Sequence, residues 1–182
     1  MTEDAATRIG GRVTASIPHF THVPTEKLCR FVIRNVPFPT ASKREHMKLS
    51  EKGRFSPPPT LPKHAQVVST ALASWADVHA RTHWLLGDET RVDGADFYVG
   101  ESEIGHLHLE GQAHVATGVA LRNALVAEKL ASPFRYSSNF VVHDVARAAD
   151  VEHALWLFRL AYDRAQGVTE EELISRVHQY ER

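Results

Sequence analysis

The fourteen residues from Glu101 to His114, ESEIGHLHLEGQAH, hold three of the chain's twelve histidines and three carboxylates, those of Glu101, Glu103 and Glu110. His106 and His108 stand two residues apart, so a β-strand here sends both imidazoles to one face. Imidazole changes charge near neutral pH and is a common metal ligand. Two chemistries fit. In one, His106 or His108 is a general base, and His114 and Glu103 orient it and stabilise the charge it takes up. In the other, His106, His108 and His114 hold iron, zinc or manganese, which neutral imidazoles suit. The alternative to both is a polar, solvent-facing side of a hairpin whose other side carries Leu107 and Leu109.

Other residues could line the same place. Glu101 precedes the cluster, His83 and Trp84 stand at the start of a preceding strand-like run, and His143 ends a later one. These four are the candidates for substrate contact. The spacing Gly100, His106-x-His108, Glu110 resembles half of a cupin metal motif, but Glu110 follows the histidine pair too closely and no second half is found. Cys29 is the single cysteine, which excludes an intrachain disulfide and a multi-cysteine zinc site. There is no phosphate loop, dinucleotide fingerprint or G-x-S-x-G elbow.

The elements that must position these residues follow from periodicity. Thr60 caps and Pro62 opens a helix with Leu61, Ala65, Val68, Leu72 and Trp75 on one face, ending near Ala80. Strand-like runs follow at Thr82 to Leu86, Ala95 to Val99 and Glu103 to Leu109, with Asp93-Gly94 as the turn between the first two. Glu110-Gly111-Gln112 turns into Ala113 to Ala116. A three-residue loop there would set His108 opposite His114, with Cβ atoms ~5 Å apart. A helix is expected from Val119 to Leu130 and a strand from Asn139 to His143. Val151, Leu155, Phe158 and Tyr162 mark a long helix that Gly167 ends, with His153 on its exposed side. Thr169 and Glu172 form a capping box for a last helix bearing Leu173, Val177 and Tyr180. The expected fold is α+β: an antiparallel sheet of about four to five strands with helices packed mainly on one face.

With 182 residues the chain suits one domain with a substantial core. The net charge of -1 gives no electrostatic reason to expect nucleic acid or an anionic membrane as partner. No apolar run reaches the ~20 residues of a membrane span, and the N-terminus has no apolar signal region, so the expected location is cytoplasmic. Residues 1–60 read as an N-terminal extension and linker, ending in the basic, proline-rich stretch from Thr40 to Pro62, and 61–182 as the α+β domain.

Glu103-Ile-Gly-His-Leu-His108, followed by Gly111 and His114, resembles the signature of the luciferase domain of fungal bioluminescence enzymes and their short bacterial relatives. The block from Asp150 to Tyr162, DVEHALWLFRLAY, is similar to the helix that closes that domain. The likeness runs from roughly Leu72 to Arg164. It implies oxidation of a hydroxylated pyrone of the 3-hydroxyhispidin type by molecular oxygen, with no separate organic cofactor. The function expected is therefore that of a small-molecule enzyme acting on an enol or phenol through the histidine cluster. A metal-binding enzyme and a non-catalytic small-molecule binding protein of the same fold are the alternatives.

Overall fold

The structure is a computed structural model, and it describes residues 56–180. Within them the chain runs α1 (Lys63–Ala73), β1 (Val78–Leu85), β2 (Asp88–Val99), β3 (Ser102–His108), β4 (Gln112–Ala116), α2 (Val119–Ala127), β5 (Ser132–Pro133), β6 (Phe140–Asp144), α3 (Ala148–Ala165) and α4 (Glu170–His178). The strands form one antiparallel sheet in the order β1-β2-β3-β4-β6-β5. The fold is α+β, as the sequence suggests, and the sixth strand is the two-residue β5. The sequence reading of residues 1–55 lies outside the described residues.

One face of the sheet is apolar. Ala95, Phe97 and Val99 of β2, Ile104 and Leu107 of β3, Ala113 and Val115 of β4 and Val141 of β6 are buried in a common core with Leu72, Leu121, Leu125, Leu157, Phe158 and Leu173 of the helices. Full burial of such side chains stabilises the fold by about 1.5–3 kcal/mol each before chain entropy is counted. The other face carries the histidines.

Several expected boundaries move. Helix α1 stops at Ala73 rather than near Ala80, because Ser74 turns back on the Ala71 carbonyl through its hydroxyl at 2.6 Å and Asp77 takes a φ of 58°. Val78 to Ala80 can then pair with β2. Thr60 does not cap this helix; Pro62 stands at the N-cap, and the Gln66 side chain accepts from the Leu61 amide at 2.8 Å. Helix α2 ends at Ala127, three residues early, ahead of Lys129 at φ 56°. On α3 the buried line is Ala154, Leu157, Phe158 and Ala161, while Val151, Leu155 and Tyr162 are only partly buried. The helix packs on β3 and β4 and also touches α1 and α4, so its apolar surface is wider than one stripe and its centre lies beside the expected one. His153 is not exposed: its Nε2 donates to the Leu130 carbonyl at 2.6 Å, and the Tyr180 hydroxyl meets its Nδ1 at 2.9 Å. Thr169 does cap α4, accepting from the Glu172 amide.

The largest correction concerns Asp93-Gly94. The turn between β1 and β2 is Leu86-Gly87, with Gly87 at φ 85°, and β2 runs straight through Asp93-Gly94. His83 pairs with Gly94 and Trp84 with Val92, so Asp93 is an extra residue in β2. A second extra residue stands in β3, where Phe97 pairs with Gly105 but Tyr98 pairs with Glu103, leaving Ile104 over. Each bulge resets the alternation of side chains beyond it.

Candidate functional site: a four-histidine face

His83 of β1, His106 and His108 of β3 and His114 of β4 meet on the sheet face opposite the helices. His83 and His106 stack with ring centroids 4.1 Å apart, and His114 lies 4.8 and 4.4 Å from His106 and His108. The register is two residues from the one expected: His106, not His108, is the partner of His114. The connection is a tight turn, closed by the Gly111 amide on the His108 carbonyl at 2.9 Å. A shift of two keeps parity, so all three imidazoles stay on one face.

Each histidine is held from behind. The Nδ1 of His83 sits 2.6 Å from Asp96, that of His106 2.7 Å from Glu103, and that of His108 3.0 Å from Asp93. An ionised carboxylate only accepts, so each of these Nδ1 atoms carries a proton. His114 is oriented the other way round. Gln112 donates its amide N–H to Asp144 at 2.8 Å, which turns its Oε1 to the His114 Nε2, also at 2.8 Å. The proton of His114 is therefore on Nε2 and its lone pair on Nδ1. That Nδ1 lies 3.0 Å from the Nε2 of His106 and 3.2 Å from the Nε2 of His108. One ring nitrogen each from His83, His106 and His108 also fall within 4.8 Å of one another, a spacing that could hold a metal.

The bulges supply two of the carboxylates. Glu103 and His106 are three apart, which on a regular strand means opposite faces; the extra Ile104 brings them together and itself turns into the core. Asp93, read from the sequence as part of a turn, reaches His108 from its bulge. Gly105 makes the β3 bulge possible. It has a φ of 141°, and a Cβ there would strike the His114 carbonyl and lie 2.8 Å from the Phe158 ring.

Burial disfavours the charged form of two of the rings. It pushes the His114 pKa down to about 3, aided by His106, His108 and His83 beside it. The His108 pKa is also lowered, by burial first and then by His83, against the pull of Asp93. The side chains of His83, His106 and His108 keep 16%, 13% and 16% exposure, so a solute can touch them. Phe134, 4.5 Å from His114, and Phe140, 5.9 Å from His106, add an apolar border.

Not every candidate joins the site. His143 pairs with Ala113, one residue out of step with His114, so it points to the helix face; its ring lies 4.8 Å from His153. Trp84 follows His83 on β1 and alternates away from the cluster. Glu101 lies in the exposed turn between β2 and β3. The sequence reading missed Asp93, Asp96, Gln112 and Phe134. Two signals were present: Asp96 interrupts an apolar strand, and Gln112 stands two residues before His114 on the same face. Two described cavities, of about 950 and 450 Å3, lie elsewhere, the larger beside Leu130, His143 and Arg147 and the smaller beside Ser102 and Arg164.

A one-sided antiparallel sheet with helices behind it and a polar, histidine-bearing front is the class of structure. The family model described as Luciferase domain matches residues 101–161, the same family that the sequence resembles. The match spans β3 to most of α3 and so contains His106, His108, His114 and Glu103, while His83, Asp93 and Asp96 come from the two strands before it. Comparison with curated proteins and with solved structures finds no match. Among the described residues, no helix is long and apolar enough to cross a membrane.

Proposed function

We propose that this protein is a small-molecule enzyme that oxidises an electron-rich enol or phenol with molecular oxygen, and that the four-histidine face is its reaction centre. The observation that carries this reading is the direction of the imidazoles: three are held at Nδ1 by a carboxylate, and the Nε2 atoms of two of them, His106 and His108, meet at His114. The luciferase-domain match over the same residues supports the reaction class. In the metal-free form, the base is the Nε2 of His106 or His108. The substrate O–H breaks, its proton passes to that nitrogen, and the electron pair stays on the enolate, which oxygen then oxidises. Glu103 or Asp93 stabilises the imidazolium that forms. His83 and Phe140 flank the place where a flat ring would lie.

Oxygen uptake by the purified chain, measured with a panel of hydroxypyrones and catechols, tests the reading. His106→Ala should lower the rate by ~10²–10⁴, the usual worth of a general base. Saturable binding of these compounds with no oxygen uptake by the wild-type chain would replace this reading with that of a non-catalytic binding protein.

A further inference from the structure

Three ring nitrogens converge at the centre of this face. Nε2 of His106 and Nε2 of His108 lie 3.0 and 3.2 Å from Nδ1 of His114. The other nitrogen of each ring is held by a carboxylate or an amide carbonyl. A cation among the three nitrogens would be coordinated by all of them. In tetrahedral coordination with Zn–N near 2.0–2.1 Å, ligand nitrogens lie about 3.3 Å apart, close to the 3.0 and 3.2 Å that separate His114 from His106 and His108.

We propose that His106, His108 and His114 bind one divalent first-row transition metal. His83 flanks the site as a stacking partner of His106, their rings nearly parallel with centroids 4.1 Å apart, so an ion in the plane of one ring lies outside the plane of the other. The backing groups fit the same role. Metal-binding histidines characteristically donate their other N–H to a carboxylate or carbonyl, which fixes the tautomer and raises ligand basicity. Here Glu103 and Asp93 back two of the rings and the Gln112 carbonyl backs the third. An all-nitrogen donor set favours zinc, iron, cobalt, nickel or copper over magnesium or calcium, which prefer oxygen. The proposal rests on the reading of this face as the reaction centre: a bound cation would hold the enolate oxygen, and the substrate proton, which the metal-bound imidazoles no longer take, would pass to solvent.

The test needs no substrate. The purified full-length chain is stripped with a chelator and titrated with Co2+, followed by visible absorption, and then with Zn2+ in competition. One equivalent of Co2+ should bind with the intense bands of a low-symmetry nitrogen site, and Zn2+ should displace it. His106→Ala and His108→Ala should weaken binding by more than about 100-fold, because even backing groups are worth ~10–100-fold. Glu103→Gln and Asp93→Asn keep the shape of the side chains and should weaken binding by ~10–100-fold while circular dichroism stays unchanged. Absence of a saturating Co2+ equivalent in the wild-type chain overturns the proposal, as does binding that persists in the His106→Ala, His108→Ala double variant. Oxygen uptake that is undiminished in the stripped chain also overturns it and leaves the reaction standing. Metal bound with no oxygen uptake sustains it and removes the reaction instead.

Discussion

Replacing Gly105 with alanine tests the link between the β3 bulge and the histidine face. Gly105 sits at φ 141°, where an L-residue is strained by about 1–3 kcal/mol. Its new Cβ would also collide with the His114 carbonyl and approach the Phe158 ring to 2.8 Å and the Val115 Cα to 3.0 Å. Two of those neighbours are backbone in the middle of a sheet and cannot swing aside. Overpacking of this kind costs a further ~1–3 kcal/mol. Together, Gly105→Ala should destabilise the fold by about 2–6 kcal/mol. With a urea slope of ~2 kcal/mol per molar, the midpoint should fall by about 1–3 M. Gly87→Ala is the control. Gly87 has a φ of 85° but open space around the added Cβ, so it should register only the backbone cost of about 1–2 kcal/mol. The difference between the variants measures the close approach of β3 to β4. Equal midpoints for both would refute the reasoning, since the bulge would then tolerate a side chain that its geometry forbids.

The core offers a paired comparison on α3: Leu157→Ala, at a fully buried position, should cost about 2–5 kcal/mol in a denaturant titration, and Leu155→Ala, partly buried, clearly less. Asp150, whose carboxylate accepts from the Arg147 side chain and from the Ala146 and Arg147 amides, has its pKa lowered to about 2. A folded pKa below the unfolded value contributes stability that is complete above pH ~4 and is lost as pH falls through 2. Asp150→Asn should therefore lower the thermal midpoint at neutral pH, and the gap to wild type should close between pH ~4 and 2; a gap constant over that window would contradict the assignment.

The three-histidine spacing and its strand were legible because period-two placement survives any even change of register. His106, His108 and His114 share a face whether His114 stands opposite His106 or His108, whereas a two-residue turn, an odd change, would have sent His114 to the other face. The α+β class followed from the same periodicity, as did the Thr169 cap, where local sequence and local structure coincide. What needed the tertiary structure was everything set by odd shifts and by distant strands. Asp93-Gly94 has the composition of a turn, and only pairing with β1 and β3 makes it a bulge inside β2. Ile104 leaves no mark in the hydrophobic pattern, yet its extra residue moves Glu103 to the histidine face. His83 and His143 illustrate the two outcomes. Both stood in strand-like runs at uncertain register; pairing with Gly94 sends His83 to the cluster, and pairing with Ala113 sends His143 behind it. Side-chain alternation is local, but the parity that relates one strand to its neighbour is fixed by the hydrogen-bond ladder between them, and a single added residue reverses it.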